Sequence, residues 1–228
     1  MAEFVVNDIL LTIPDRLLTE QLRASFTSGR YESSEADALV RHLRPRDRYL
    51  DLGAGAGFLL ALAGAKLGVA GVAGVEAGPD MVPVAIENLR QNGVDGAKVH
   101  WGAIVPDSFA NATVAFLQRR SFWASSLTPP EGAANTTAVE VPALRFGALL
   151  EAVRPTVASI DIEGGELELF APPLPACLRL IVMELHPAVY GKAGIKQVFD
   201  ALSQQGFAYC PIGSKGGTVV FERLKTPG

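Results

Sequence analysis

Residues 49–58 read YLDLGAGAGF. Apolar residues lead into an acid, Asp51, and three glycines follow at alternate positions, Gly53, Gly55 and Gly57. An apolar run ending in a glycine turn, with a further apolar segment over 58–67, predicts a strand, a tight loop and a helix. In an open parallel sheet such a loop lies outside the carboxyl end of its strand, where ligands bind. Glycines there let the backbone come close to a ligand. The dinucleotide fingerprint Gly-x-Gly-x-x-Gly fits poorly, because its third glycine falls on Phe58 or on Leu60. Asp51 would also repel a pyrophosphate. An acid at this place suits an ammonium or a sulfonium instead.

The pattern around the loop sets the fold class. Apolar spacing predicts helices over 14–25, 35–43, 79–91 and 194–205, and a short one over 165–170. Strands are predicted over 48–52, 71–75, 99–104, 157–162 and 180–185, and a closing hairpin over 208–212 and 218–223. Such alternation makes an α/β, Rossmann-like sheet, mostly parallel and covered on both faces, with an antiparallel strand at its C-terminal edge. Residues 105–147 interrupt the rhythm and predict an inserted β-hairpin with strands over 113–118 and 138–143. The expected organisation is a helical cap over 1–47 packed on one unit over 48–228.

Composition narrows the partners. The chain has 228 residues, 49% of them apolar, and a net charge of -4 with no basic stripe, which argues against nucleic acid. Two distant cysteines, Cys177 and Cys210, make neither a disulfide framework nor a zinc site, and fit a reducing compartment. Residues 58–75 approach the length of a bilayer span, but Lys66 and four glycines interrupt them, so a buried helix, a turn and a buried strand are expected. With acids where a secretory signal would carry lysines, the N-terminus fits a soluble, cytoplasmic protein without membrane contact.

A second acid, Glu76, ends the strand after the loop. S-adenosylmethionine carries an ammonium, a sulfonium and a ribose diol, and a carboxylate accepts two short hydrogen bonds from a diol. Asp51 and Glu76 at neighbouring strand ends therefore point to S-adenosylmethionine as cofactor. Two later strands end in IDIEGG and MELHP, which bring Asp161, Glu163, Glu184 and His186 to the same rim. Side chains two apart share a face of a strand. His186 is the expected general base for an acceptor hydroxyl, with Asp161 and Glu163 as orienters or alternatives. The rim matches no strong metal motif, and no metal is predicted. Asn88 and Asn92 are read as helix-end residues, and Trp101 as core.

The stretches YESSEADALVRHL, YLDLGAGAGF, GVEAGPDMVPVAIENLRQNG, FWASSL, SIDIEGGELELF and VMELHP occur in this order over residues 31–187. Together they resemble the FkbM family of S-adenosylmethionine-dependent methyltransferases. The resemblance implies a seven-stranded methyltransferase sheet and methyl transfer to a hydroxyl of a small-molecule or glycan acceptor. It implies a cofactor contact from Glu32, places Ala77 beside Glu76, and sets Gly102 and Ala103 against the adenine, with Asp161 touching both ligands. FWASSL would bring Phe122, Trp123, Ser125 and Ser126 near the acceptor. The chain departs from the family at Gly55, often Asn there, and at Ser159, where the family has Lys. The alternatives are a nicotinamide oxidoreductase and a non-catalytic module that binds S-adenosylmethionine. Nothing in the sequence indicates an oligomeric state.

Overall fold

The computed structural model describes residues 1–119 and 136–224. Its centre is β3 (Arg48–Leu52), which pairs in parallel with β4 (Gly71–Glu76) on one side and with β9 (Val157–Ile160) on the other. Beyond β4 lies β5 (Lys98–Trp101), and beyond β9 lies β10 (Leu180–Glu184), both parallel to their neighbours. β11 (Phe207–Lys215) and β12 (Thr218–Arg223) complete a seven-stranded sheet of order β11-β12-β10-β9-β3-β4-β5. β12 runs antiparallel to both β10 and β11, so the reversed strand lies one in from the edge. Chain order reverses direction at β3, and the crevice at such a switch point is where an open α/β sheet binds ligands.

Successive residues of the central strands go to opposite faces. Tyr49, Val157, Leu180 and Val182 join a core with α1 (Glu20–Thr27), α2 (Ser33–His42), α3 (Phe58–Ala61) and α4 (Met81–Gln91). Leu50, Leu52, Ala158, Ile160, Ile181 and Met183 join a second core with α5 (Phe146–Val153) and α6 (Pro187–Gln204). Burial on both faces explains why these strands read as continuous apolar runs. The apolar stretch 58–75 becomes α3, a five-residue π-turn over Leu62–Lys66, and β4. Among the described residues no helix is long and apolar enough to cross a membrane.

Several expectations need correction. The N-terminus opens with a hairpin, β1 (Ala2–Val6) and β2 (Ile9–Ile13), not with a helix. Asn7 and Asp8 turn it with positive φ at both positions, a geometry that matches strand twist. The predicted strand over 99–104 splits at Gly102, because β6 (Ala103–Val105) leaves the main sheet to pair with β8 (Thr136–Arg145). β8 also pairs with β7 (Thr113–Arg119), which makes the predicted inserted hairpin part of a three-stranded sheet. α5 was not expected.

Asn88 and Asn92 do more than end a helix. From α4 they pin the N-terminal hairpin through its backbone. Thr12 N–H donates to Asn88 Oδ1 at 2.8 Å, and Asn88 Nδ2 donates to Ala56 O at 2.9 Å. Leu10 N–H donates to Asn92 Oδ1 at 3.0 Å, and Asn92 Nδ2 returns a bond to Leu10 O at 2.7 Å. Asn88 is fully buried. Asn88→Ala leaves a part-buried N–H and a buried carbonyl without partners and is expected to lower stability by about 2–4 kcal/mol in urea unfolding. An unchanged midpoint would mean that the hairpin is held by its apolar face alone.

Candidate functional site

The glycine loop is shaped by two close approaches. Gly53 and Ala54 donate backbone N–H bonds to Val75 O at 3.0 and 2.9 Å, which ties the loop to the end of β4. At Gly53 φ is +95°, and a Cβ there would stand 1.9 Å from Asp161 O. The carboxyl ends of β3 and β9 meet only because residue 53 has no side chain. Gly57 serves packing instead. Its Cβ would lie 3.1 Å from Ala85 Cα on α4, and it is not on the wall of the cleft, which corrects its expected cofactor contact.

A cleft opens over these strand ends. Gly53, Gly55, Glu76 and Ala77 form one wall. Gly102 and Ala103, at the break between β5 and β6, form another, with Ile104 and Phe116. Tyr31 and Glu32 close it from the start of α2, and Asp161 and Glu163 from the end of β9. Trp101 is 44% exposed and donates from Nε1 to Ala77 O at 3.2 Å, so it is not core.

Glu76 is the best-held polar group of the cleft. Its Oε2 accepts from Gly55 N–H at 2.7 Å and its Oε1 from Gly78 N–H at 2.6 Å. Burial raises its carboxyl and these two N–H bonds oppose the rise, leaving it at about 7. Each carboxylate oxygen keeps a lone pair for a further donor.

Asp51 sits differently from expectation. It is 3% exposed and absent from the cleft wall, and it lines a smaller adjoining pocket with Glu32, Glu35, Asp161 and Glu184. Ser159 Oγ donates to its Oδ1, and Tyr49 Oη stands 2.5 Å from Ser159 Oγ. Burial raises Asp51 to about 7 against the pull of the Ser159 bond. A hydroxyl at residue 159 thus meets this acid where a lysine would bring a charge.

The rim residues do converge, because β9 and β10 are adjacent and parallel. His186 Nε2 lies 3.2 Å from Asp161 Oδ1 and 3.5 Å from Glu163 Oε2, and Nδ1 lies 3.2 Å from Glu166 Oε1. Glu166 is completely buried and was missed in the sequence, although it ends the same DIEGGE stretch. Burial opposes a charge on His186, but the Asp161 and Glu166 carboxylates outweigh it and raise the ring to about 11. An imidazole that holds both protons accepts none, so these carboxylates work against the role of general base expected of His186. Glu184 is raised to about 7 by burial and by the charges of Asp161 and Glu35. It faces a second opening that shares Tyr31, Glu32, Asp161 and Glu163 with the cleft. Phe122, Trp123, Ser125 and Ser126 lie outside the described residues.

A family model described as ribosomal protein L11 methyltransferase (PrmA) matches residues 33–115. A ribosomal protein L11 methyltransferase from Thermus thermophilus is 44% identical over 72 residues, 31% of this chain. The matched stretch spans 28% of that curated relative's length. Among solved structures, an L11 methylase from Lactobacillus delbrueckii subsp. bulgaricus superposes with a TM-score of 0.48 at 14% identity, covering 86% of this chain and 80% of that one. Methyltransferase FkbM from Methylobacillus flagellatus gives 0.49 at 15% identity, covering 79% and 44%. The matching family model is therefore not that of the FkbM family, which stands only as a distant likeness. A match to a family named for a protein acceptor also overturns the expected small-molecule or glycan acceptor.

Proposed function

We propose that the chain is an S-adenosylmethionine-dependent methyltransferase whose acceptor is a polypeptide. Glu76 carries the reading: a buried carboxylate, fixed by two backbone N–H bonds at the end of β4, opens into the cleft beside Gly53 and Gly55. That arrangement fits a ribose diol, with Gly102 and Ala103 offering a flat, small-residue wall to a base. The polypeptide acceptor rests on the matched family's name. S-adenosylmethionine, when bound, supplies a methyl group on a sulfonium. The residues align the acceptor and take its proton, a positioning role that lowers the barrier by fixing the reacting groups. Glu184, Asp161 and Glu163 are the carboxylates available at the second opening to hold that proton.

Titration calorimetry with S-adenosylhomocysteine, and separately with NAD, tests the reading. Binding of NAD alone would sink it. The buried acids add a pH signature. Hydroxyl donors on Glu76 favour its carboxylate form, so affinity is expected to fall as pH drops from about 8 through about 7, with proton uptake on release of the ligand. S-adenosylmethionine, with one more positive charge, should lose affinity more steeply than S-adenosylhomocysteine. The unliganded chain should show the opposite slope. Asp51 and Glu76 have ordinary values of 3.8 and 4.5 and folded values of about 7, so the folded state binds more protons between them. Stability from these groups therefore falls as pH rises through that window. Flat affinity between pH 6 and 8 would exclude both acids from the ligand's field.

A further inference from the structure

We infer that Asp161, Glu163 and His186 form a divalent cation site at the junction of the cleft and the second opening. One donor atom from each of the three lies within 4.8 Å of the others. Two ligands about 2.1 Å from one ion, at right or tetrahedral angles, stand ~3.0–3.4 Å apart. The separations of 3.2 Å from His186 Nε2 to Asp161 Oδ1 and 3.5 Å to Glu163 Oε2 are close to that spacing.

The hydrogen bonding supplies an independent sign. Asp161 Oδ1 is a buried atom with no hydrogen-bond partner, although His186 Nε2 lies 3.2 Å away. The His186 side chain is only 10% exposed and aims Nε2 between the two carboxylates. Behind it, Nδ1 faces the fully buried Glu166. A carboxylate behind a histidine, fixing the ring so that its other nitrogen points at an ion, is the usual support of a metal-bound imidazole. Two carboxylates with a neutral imidazole carry two negative charges, which a divalent ion cancels. The ion takes the place of the proton on Nε2.

The donor set selects the ion. Two hard oxygens and one imidazole suit Mn²⁺, Fe²⁺, Co²⁺ or Zn²⁺ better than Ca²⁺. Three protein ligands leave positions open for water or for an acceptor atom. An acceptor held there would lose its proton more readily, as water does on a bound metal. Asp161 and Glu163 border both openings, so the ion would stand where cofactor and acceptor spaces meet.

Ion binding is measured without cofactor, so its failure leaves the methyl-transfer reading standing. Metal-stripped protein is titrated with Mn²⁺ and followed by calorimetry and by the electron paramagnetic signal of the free ion. One saturable ion per chain is expected. His186→Ala and Asp161→Asn should each weaken binding by at least ~100-fold, and Glu166→Gln, behind the ring, by ~10–100-fold. Glu151→Gln, an exposed acid on α5, should bind as the parent does. A measurement on the unaltered chain guards against variants that fail to fold. Loading with Co²⁺ should shift the proton resonances of one imidazole strongly and leave those of the other two histidines in place. Absence of saturable binding, equal affinity in the His186→Ala and Asp161→Asn variants, or unshifted imidazoles on Co²⁺ loading would overturn the assignment.

Discussion

Gly53→Ala is expected to cost about 4 kcal/mol or more of stability and to abolish cofactor binding. Two effects add. The backbone at residue 53 has φ +95°, which an L side chain tolerates only with strain. The new Cβ would also fall 1.9 Å from Asp161 O, and the obstacle is backbone, which cannot swing aside. Relief requires β3 and β9 to part at their carboxyl ends. That movement breaks the Asp161 N–H bond to Leu52 O and displaces Asp161, Gly53 and Gly55 together. Thermal unfolding and a titration with S-adenosylhomocysteine read both losses. A variant that melts with the parent would show that the two strand ends do not meet as described. Gly57→Ala makes a useful contrast, since its contacts with Ala85 begin at 3.1 Å and its effect passes through the packing of α4.

Glu76→Ala is expected to weaken S-adenosylhomocysteine binding by ~1.5–3 kcal/mol, or roughly 10–150-fold, the loss of charge-assisted hydrogen bonds. Fold stability should change much less. The substitution removes a buried carboxylate that burial holds at about 7, and so removes an unfavourable charge above that pH, while it leaves Gly55 N–H and Gly78 N–H without their acceptor. The two contributions oppose each other. Glu76→Gln keeps the size and one carbonyl acceptor, and should fall between alanine and parent in affinity. Calorimetry at pH 8, where the parent's carboxylate is ionised, gives the full difference. Parent-like affinity in the alanine variant would remove Glu76 from the ligand's contacts.

The alternation of apolar runs and glycine turns made the parallel sheet legible, because strands buried on both faces must be apolar throughout. Asp51 and Glu76 could be placed at strand ends because each stands where an apolar run gives way to a glycine turn. The missed pieces were local in a different way. The β1–β2 hairpin had its signal in Asn7-Asp8 between FVV and ILLTI, but nothing local says that Asn88 and Asn92, some eighty residues on, accept its backbone donors. α5 follows β8 directly, with no turn residues to announce it.

Residue types and spacing along single strands were enough to assign acids, glycines and a histidine to one rim. Only tertiary structure decided what each of them does. Gly53 and Gly57 look alike in the sequence, yet one meets the backbone of β9 and the other meets α4. Asp51 and Glu76 are both strand-end acids, yet Ser159 holds the first beneath the surface while backbone N–H groups hold the second open to the cleft. His186 lies beside Asp161 as read from the sequence, but its raised pKa follows from two carboxylates on a neighbouring strand end and turn, Asp161 and the fully buried Glu166. The physical reason is common to all three cases. A residue's position along a strand follows from short-range pattern, whereas its protonation and its contacts depend on distances to groups that sequence order does not encode.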